Sequence, residues 1–554
     1  GDWAVSDDGR KWDSSWDAIW FAETTRDANG WYTEMKIPLT QLRFAEKEQL
    51  TWGLQVMRHI FRNDERALWQ FIPNEASGWV HRYAELHGLK DLKPKTLVGL
   101  TPYIVAKHER YPAEEGNPFA TGKGSDLTVG LDGQYGITND ITLNYTINPD
   151  FGQVEADPSQ VNLSAYESYL REKRPFFTEG KSIFDYRLGG GGGMGRDNLF
   201  YTRRIGRAPQ LYPETQDGEY THRPGNTTIL GAAKVTGKTP DGLSLGVVES
   251  ITAEEHALVS DGETQRTEIV EPLTNYTVTR LQQNLNDGQT LIGGIFAMAN
   301  RKLGTEALRN ELHKNAVSGG MDFTQFWKDK TYFMKLASVF SYVNGSPEAL
   351  RKTQEASAHY FQRPDAKHLE FDSTRTSLAG QGGSLEFGKS GQGHWRYSAK
   401  LAWRSPGLEL NDLGYMRSTD LMHQSTSLGY RYWEELGMFK NFRFNLNQWA
   451  GWDFAGTNLY KGAGFNTHSR FTNFWSFNMG GYANTEGVNN NILRGGPAVY
   501  MPGNWGAWTN IHSDPRMDFS ASVGASLSRG DEDVQQNQSL WVRFRYRPVN
   551  SLLL

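Results

Sequence analysis

Residues 441–454 read NFRFNLNQWAGWDF. Phe442, Phe444 and Leu446, then Ala450, Trp452 and Phe454, alternate with Asn441, Arg443, Asn445, Asn447 and Asp453. Successive side chains of a strand point to opposite faces, so this segment has one greasy and one wet face. Leu540, Val542, Phe544 and Tyr546 repeat the rhythm against Trp541, Arg543, Arg545 and Arg547. So do Ile141, Leu143, Tyr145 and Ile147 against Thr142, Asn144, Thr146 and Asn148. Many such strands predict an all-β fold: a large antiparallel transmembrane β-barrel with lipid outside and water inside.

Working outward, about 18 strands are legible between residues 97 and 547. Short connections such as 284–288, 327–330 and 434–437 alternate with long ones such as 109–125, 149–225, 344–379 and 405–420. Outer-membrane barrels sort their connections this way, with short periplasmic turns and long outer loops. The first strand then runs outward, and residues 1–89 lie in the periplasm. A soluble propeller also alternates, but its loops do not fall into two length classes, and no blade-length repeat occurs. Tyr103, Tyr135, Trp395, Trp403, Tyr432 and Trp452 cluster near strand ends, as interfacial girdles require.

The bulk numbers agree. The 554 residues hold 59 glycines and 13% aromatics. Mean hydropathy is −0.61, low for a membrane helix protein but compatible with strands that show lipid only alternate residues. No apolar run reaches the roughly 18 residues a transmembrane helix needs. The absence of cysteine excludes disulfides, thiol chemistry and Cys-based zinc sites. A net charge of −5 gives no electrostatic case for nucleic acid as a partner.

Residues 1–89 differ from the rest, with Trp3, Trp12, Trp16, Trp20, Trp31, Trp52, Trp69 and Trp79. Strand-like pieces and the Asn29-Gly30 turn suggest part of a β-sandwich. Residues 90–96 read as a linker, and 97–554 as the barrel with a plug-like insertion at 149–225. The chain opens on Gly1 without Met and ends on a strand-like Ser551–Leu554. We expect a processed piece, with one more strand pair giving about 20 strands in full.

The segments NPDFGQVEADPSQVNL (148–163), EKRPFFTEG (172–180) and FYTRRIGR (200–207) resemble an uncharacterised family of Gram-negative, Bacteroidota-type outer-membrane proteins. The late Leu493–Pro497 fits the same family. GWYTEMKIPLTQLRF (30–44) and WGLQVMRHIFRNDERALWQFIP (52–73) are similar to the end of a family-nine-like carbohydrate-binding module. The resemblance implies such a module before a large barrel domain, and so carbohydrate or other solute handling at the outer membrane. Lipid, lipopolysaccharide, a carbohydrate ligand and other envelope proteins are the partners it implies.

Within the insertion, Asp150, Glu155 and Asp157 match Ca²⁺ chemistry but not EF-hand spacing. No cofactor is expected. The favoured reading pairs these acids with Arg171, Lys173, Arg174, Arg203 and Arg204 inside the barrel, because charges taken from water need partners. Phe176 and Phe177 would anchor the plug against the wall. Arg543 and Arg545 lie on the wet face of the last strand, where they either favour anions or meet plug carboxylates; neutralisation is favoured. Trp69 and Trp79 are candidate sugar-stacking platforms or sandwich core. Loop 344–379, with Arg351, Lys352, Arg363, Lys367 and His368, reads as solvated by default; contact with a partner or lipid A phosphates is the alternative. A glycoside hydrolase needs two spaced carboxylates, and no distinctive pair stands out among the 63 acidic residues. No serine-hydrolase or zinc motif is present. The expectation is a transport barrel, with a plugged scaffold and an O-glycosyl hydrolase as alternatives.

Overall fold

The structure, a computed structural model, describes residues 3–6, 8, 9, 11–13, 18–42, 44, 47–93, 97–149, 161–189 and 192–549. Eighteen strands form a closed barrel. The first six are β1 (Val98–Arg110), β2 (Lys123–Gly136), β3 (Ile141–Ile147), β4 (Ile229–Lys238), β5 (Leu243–Thr252) and β6 (Thr274–Leu285). Then come β7 (Thr290–Arg301), β8 (Asn315–Trp327), β9 (Tyr332–Asn344), β10 (Ser377–Lys389), β11 (Trp395–Arg404) and β12 (Leu421–Tyr432). The last six are β13 (Phe439–Trp452), β14 (Asn458–Phe471), β15 (Ser476–Asn484), β16 (Asn504–His512), β17 (Phe519–Gly530) and β18 (Gln536–Tyr546). Neighbours in sequence are neighbours in the sheet, and β18 lies next to β1. The 18 strands agree with the number expected between residues 97 and 547.

The turns explain the register. Asn286, Asp287 and Gly288 all take positive φ (52°, 53° and 80°), the left-handed region that Asn, Asp and Gly tolerate best. The ladder then carries one face round the wall: Leu446 faces Phe465, Phe465 faces Gly481, and Gly481 faces Ala507. On that outward face Val129, Val247, Leu281, Phe296, Phe340, Leu385, Leu428 and Val542 are all exposed. The exposed apolar residues therefore form a continuous belt round the barrel, far beyond the few hundred Å² that soluble monomers show. Trp395, Trp505 and Tyr342 stand exposed near strand ends.

The long loops gather at one end. Tyr220–His222, Glu255–Ser260 and Gln265–Glu271 form a small three-stranded sheet there. Loop 344–379 is not solvated as expected. It holds helix α1 (Pro347–Glu355), started by a Ser346 side chain that accepts from the Ala349 N–H. The helix buries Ala349 and Leu350 in the same core as Phe361 and Leu369. Arg363 is buried against Asp420 at 3.0 Å, out of reach of lipid phosphates. The loop turns inward because its apolar residues, spread singly through polar sequence, cover the plug.

The N-terminal residues form four two-stranded pairs: Ala4–Ser6 with Lys11–Asp13, Phe21–Arg26 with Trp31–Lys36, Gln49–Leu54 with Ala84–Lys90, and Met57–Ile60 with Glu65–Leu68. Buried Phe44 and Leu50 make a small core, with Phe44 5.4 Å from Trp52. Among the described residues the sandwich is present only as these ribbons, which leaves Trp3, Trp12 and Trp31 exposed. The segment meets the short-turn end of the barrel. Lys330 bonds Asp8 at 2.8 Å, the Gly393 N–H donates to Glu75 at 2.8 Å, and Arg516 donates to the Arg62 carbonyl at 3.1 Å.

Candidate functional site

The lumen is the concave polar space of this molecule, and it is divided. On one side, apolar residues of the insertion from Phe176 to Leu188 and from Leu199 to Ile205 pack against β4–β10. Phe176 and Phe177 are buried there, edge to face at 4.8 Å, in a core with Val248, Val278 and Ile295 of the wall. Lys234 of β4 donates to the Glu179 carbonyl at 2.5 Å and sits 4.9 Å from the Phe176 ring. The wall receives plug aromatics where it has no side chain. A Cβ on Gly246 would lie 2.6 Å from the Phe184 ring, and one on Gly320 would lie 2.7 Å from the Tyr186 hydroxyl.

Charge pairs fasten the plug. The Arg174 guanidinium is 1% exposed, spans Glu172 at 2.9 and 2.8 Å, and donates to the Ile205 and Thr202 carbonyls. Burial pushes the Glu172 carboxyl up, but the bonds from Arg174 and Thr202 outweigh it and hold the group at about 2. Arg204 bonds Glu167 at 2.8 Å and the Gly414 carbonyl at 2.9 Å. Arg203 donates to the Arg171 carbonyl at 2.7 Å and lies 3.9 Å from Glu172. A second tie, Asp197 to Arg404 of β11 at 3.0 Å, joins plug to wall. Burial raises the Asp197 carboxyl to about 6 despite Arg404.

The expected cluster of Arg174, Arg203 and Arg204 is therefore assembled around one buried region, beside Arg171 and Lys173. Among the described residues, Glu167 and Glu172 meet it; they lie in the same string as the arginines and were not singled out. Asp150, Glu155 and Asp157 lie outside the described residues.

Among the described residues, the other side of the lumen is less covered. Inward residues of β7 are buried, with Ile295 at 4% and Ala297 and Ala299 at 0%. The inward Trp541 of β18 is 38% exposed, and the inward residues of β13–β16 are mostly half-buried. An asparagine ladder runs across this wall. Asn445 donates to Asn466 at 2.7 Å, Asn478 to Asn510 at 2.8 Å, and Asn484 to Asn504 at 2.9 Å. Aromatic rings stand among them: Trp449 donates to Asn484 at 3.0 Å, and Trp508 lies 6.1 Å from His468. Composition carried a signal for this, since asparagine recurs at wet positions of β13–β16.

Arg543 and Arg545 line the same side. Arg543 sits 5.8 Å from the Trp541 ring, and Arg545 donates to the Pro515 carbonyl at 3.0 Å. Neither meets a carboxylate among the described residues, and the plug acids Asp150, Glu155 and Asp157 expected to neutralise them lie outside those residues. Trp69 is 59% exposed, whereas Trp79 is half-buried next to the segment that meets the barrel.

At the outer end, loops and plug enclose a cavity of about 340 Å³. In it His313 bonds Asp412 at 2.8 Å through Nδ1 and Thr353 at 2.7 Å through Nε2. The arrangement looks like a nucleophile with its base, but the charges are wrong for that role. Burial alone would push His313 down; Asp412 more than offsets it and raises the group. Burial pushes Asp412 up, yet His313 and Arg301 hold it well below the usual carboxylate range. Thr353 already donates its proton to the Ala349 carbonyl at 3.0 Å. Among the described residues His368, Asp420 and Asp453 alone are close enough to share a metal ion. Arg363 already bonds Asp420 and supplies the positive charge there.

This pair gives a pH prediction. The His313 contribution is complete below 6.5 and is lost as pH rises through its raised value. The Asp412 contribution is present above 3.8 and is lost as pH falls through its lowered value. Hydrogen exchange in residues 303–314 and 409–416 is expected to be slower at about pH 5.5 than at about pH 8.5, after correction for intrinsic rates. Equal protection at both would contradict the ion pair.

The sequence model of a family described as "Domain of unknown function (DUF5916)" matches residues 94–554. No curated protein matches the chain. Among solved structures it is similar to OccK9 (OpdG) of Pseudomonas aeruginosa, at 8% identity over 81% of this chain and 96% of that one, with a TM-score of 0.26. It is also similar to the siderophore receptor PirA from Acinetobacter baumannii (8% identity, 86% and 69% covered, TM-score 0.30). A third is the ferric-catecholate import receptor Fiu from E. coli K12 (8% identity, 95% and 77% covered, TM-score 0.27).

Proposed function

The chain belongs to the DUF5916 family, and we propose that it is an outer-membrane barrel that carries polar solutes, carbohydrate above all, along the open side of its lumen. The apolar belt supports the membrane placement. A closed barrel satisfies every backbone group internally and shows lipid only side chains. The short-turn end, with the N-terminal ribbons, then faces the periplasm, and the long loops face outward among the lipopolysaccharide.

The observation that carries the solute reading is the water-accessible row of Asn and aromatic side chains on β13–β18. Sugar hydroxyls both donate and accept, and an asparagine amide offers both in one group. Indole faces pack against the apolar faces of sugar rings while polar neighbours take the hydroxyls. A short saccharide can therefore slide from one asparagine to the next without being held by one strong contact, which transport needs. Exposed Trp69 offers a further platform on the periplasmic side.

One observation favours a second reading. The plug packs β4–β10 as tightly as a protein core, which a scaffold barrel bearing partners would also need. Liposome swelling separates the two. Vesicles with the protein are expected to swell in maltose and more slowly in maltohexaose; no swelling in either supports the scaffold. Maltohexaose block of ion current tests the wall itself. Trp508→Ala removes a contact of about 0.5–1.5 kcal/mol, so block is expected to weaken roughly two- to tenfold. Unchanged block would remove Trp508 from the path.

A further inference from the structure

The outer cavity of about 340 Å³ is lined by four acids and by Arg204, Arg207, Lys352 and Arg417. Its four acids each have a partner. Glu167 bonds Arg204 and Glu311 bonds Lys352, while Asp412 meets both His313 and Arg301. Glu409 bonds His359 at 2.9 Å. Two lining cations remain, Arg207 and Arg417, and neither makes an ion pair among the described residues.

Both are held in place without being neutralised. Arg207 donates to Gln210, whose own N–H groups go to Glu271 at 2.8 and 2.9 Å, so the glutamine stands between Arg207 and that carboxylate. The Arg417 guanidinium lies 4.7 Å from the Tyr166 ring. The Nε atoms of Arg207 and Arg417 are shut off from solvent and have no hydrogen-bond partner. Arg204 is close enough to add to the local field and lower the Arg207 group further after burial has lowered it. Both arginines are half-buried, and a cation partly removed from water without an ion pair of its own gains from an incoming anion. Arginine also matches carboxylate and phosphate with a planar fork of donors.

We propose that this cavity binds a small oxyanion-bearing solute, carrying one carboxylate or phosphate on a body no larger than a monosaccharide, between Arg207 and Arg417. The site stands at the outer mouth and does not depend on conduction through the lumen.

Calorimetry on the detergent-purified full chain tests it with three probes: inorganic phosphate, glucuronate and glucose. Saturable binding of phosphate or glucuronate, with glucose silent, is the expected result, and the stronger of the two identifies the source of the anion. Arg207→Gln and Arg417→Gln are each expected to weaken that binding at least tenfold, while the heat-modifiable gel shift of the folded barrel is retained. Glucose binding as well as glucuronate, no saturable binding of either anion, or anion binding unchanged in both folded variants would each overturn the proposal. If one variant fails to fold, the other decides.

Discussion

Replacing Glu172 with Ala is expected to unfasten the plug while leaving the barrel closed. Glu172 accepts from the N–H groups of Lys173 and Arg174, from the Arg174 guanidinium at 2.9 and 2.8 Å, and from Thr202 at 2.6 Å. The change would take from Arg174, 1% exposed, both of its guanidinium bonds to Glu172. Breaking one side of a buried ion pair costs about 3–5 kcal/mol, because the other charge stays buried and unpaired. The barrel strands make none of these bonds, so their ladder is unaffected. Hydrogen exchange over residues 166–207 should therefore accelerate strongly, and exchange in β13–β17 should not change. Glu172→Gln keeps an acceptor and is expected to cost less, about 1.5–3 kcal/mol. Acid does not mimic the change at moderate pH. The Glu172 contribution is present above 4.5 and is lost only as pH falls through about 2. Wild-type exchange in Glu172→Ala would show that packing alone holds the plug.

The second large effect concerns the belt. Phe296 is 41% exposed on the outward face near the middle of β7, and Asn300 lies on the same face one turn of the pleat from the strand's outer end. Arginine at the midplane of a barrel costs about 2–4 kcal/mol, falling to about 0–1 near the interface. Phe296→Arg is therefore expected to lower the free energy of folding into phospholipid vesicles by the larger amount, and Asn300→Arg by little. Urea titration in vesicles reads both. Equal effects at the two positions would mean that no lipid core surrounds this face.

Much of the fold was legible because a barrel writes itself locally. Ile141–Ile147 alternates in sequence, and in the structure Thr142, Asn144 and Thr146 point in and are buried while Ile147 is exposed. Local chemistry also misled where it was broken. Val499–Met501 is strand-like in sequence, but β16 starts at Asn504. Pro502 has no N–H for the ladder, and Val499–Met501 pairs instead with Gly487–Asn489 as an outer hairpin.

The candidate site was half legible. Arg174 and Arg204 are buried beside Glu172 and Glu167, while the acids expected to meet them lie outside the described residues. Which acid meets which arginine depends on how an irregular chain turns, and no period encodes that. Glu172, two residues from Arg174, reaches it only because the backbone bends back at Pro175 into a short helix. The less covered side was harder to see. Wet faces of both halves are polar or small in sequence, and what differs is the element packed opposite. Ala297, Ala299 and Gly320 face a plug; Asn445, Asn478 and Trp541 face water. The small residues were the available clue, since a wall that receives another element cannot carry bulky side chains.

Single-channel recording of the detergent-purified protein in a planar bilayer tests the divided lumen most directly. The account predicts stable, salt-dependent current steps, larger in Glu172→Ala than in the wild type, with maltohexaose blocking both. A folded, inserted barrel that stays silent in the wild type would contradict it, because the Asn-lined side of the lumen would then be closed.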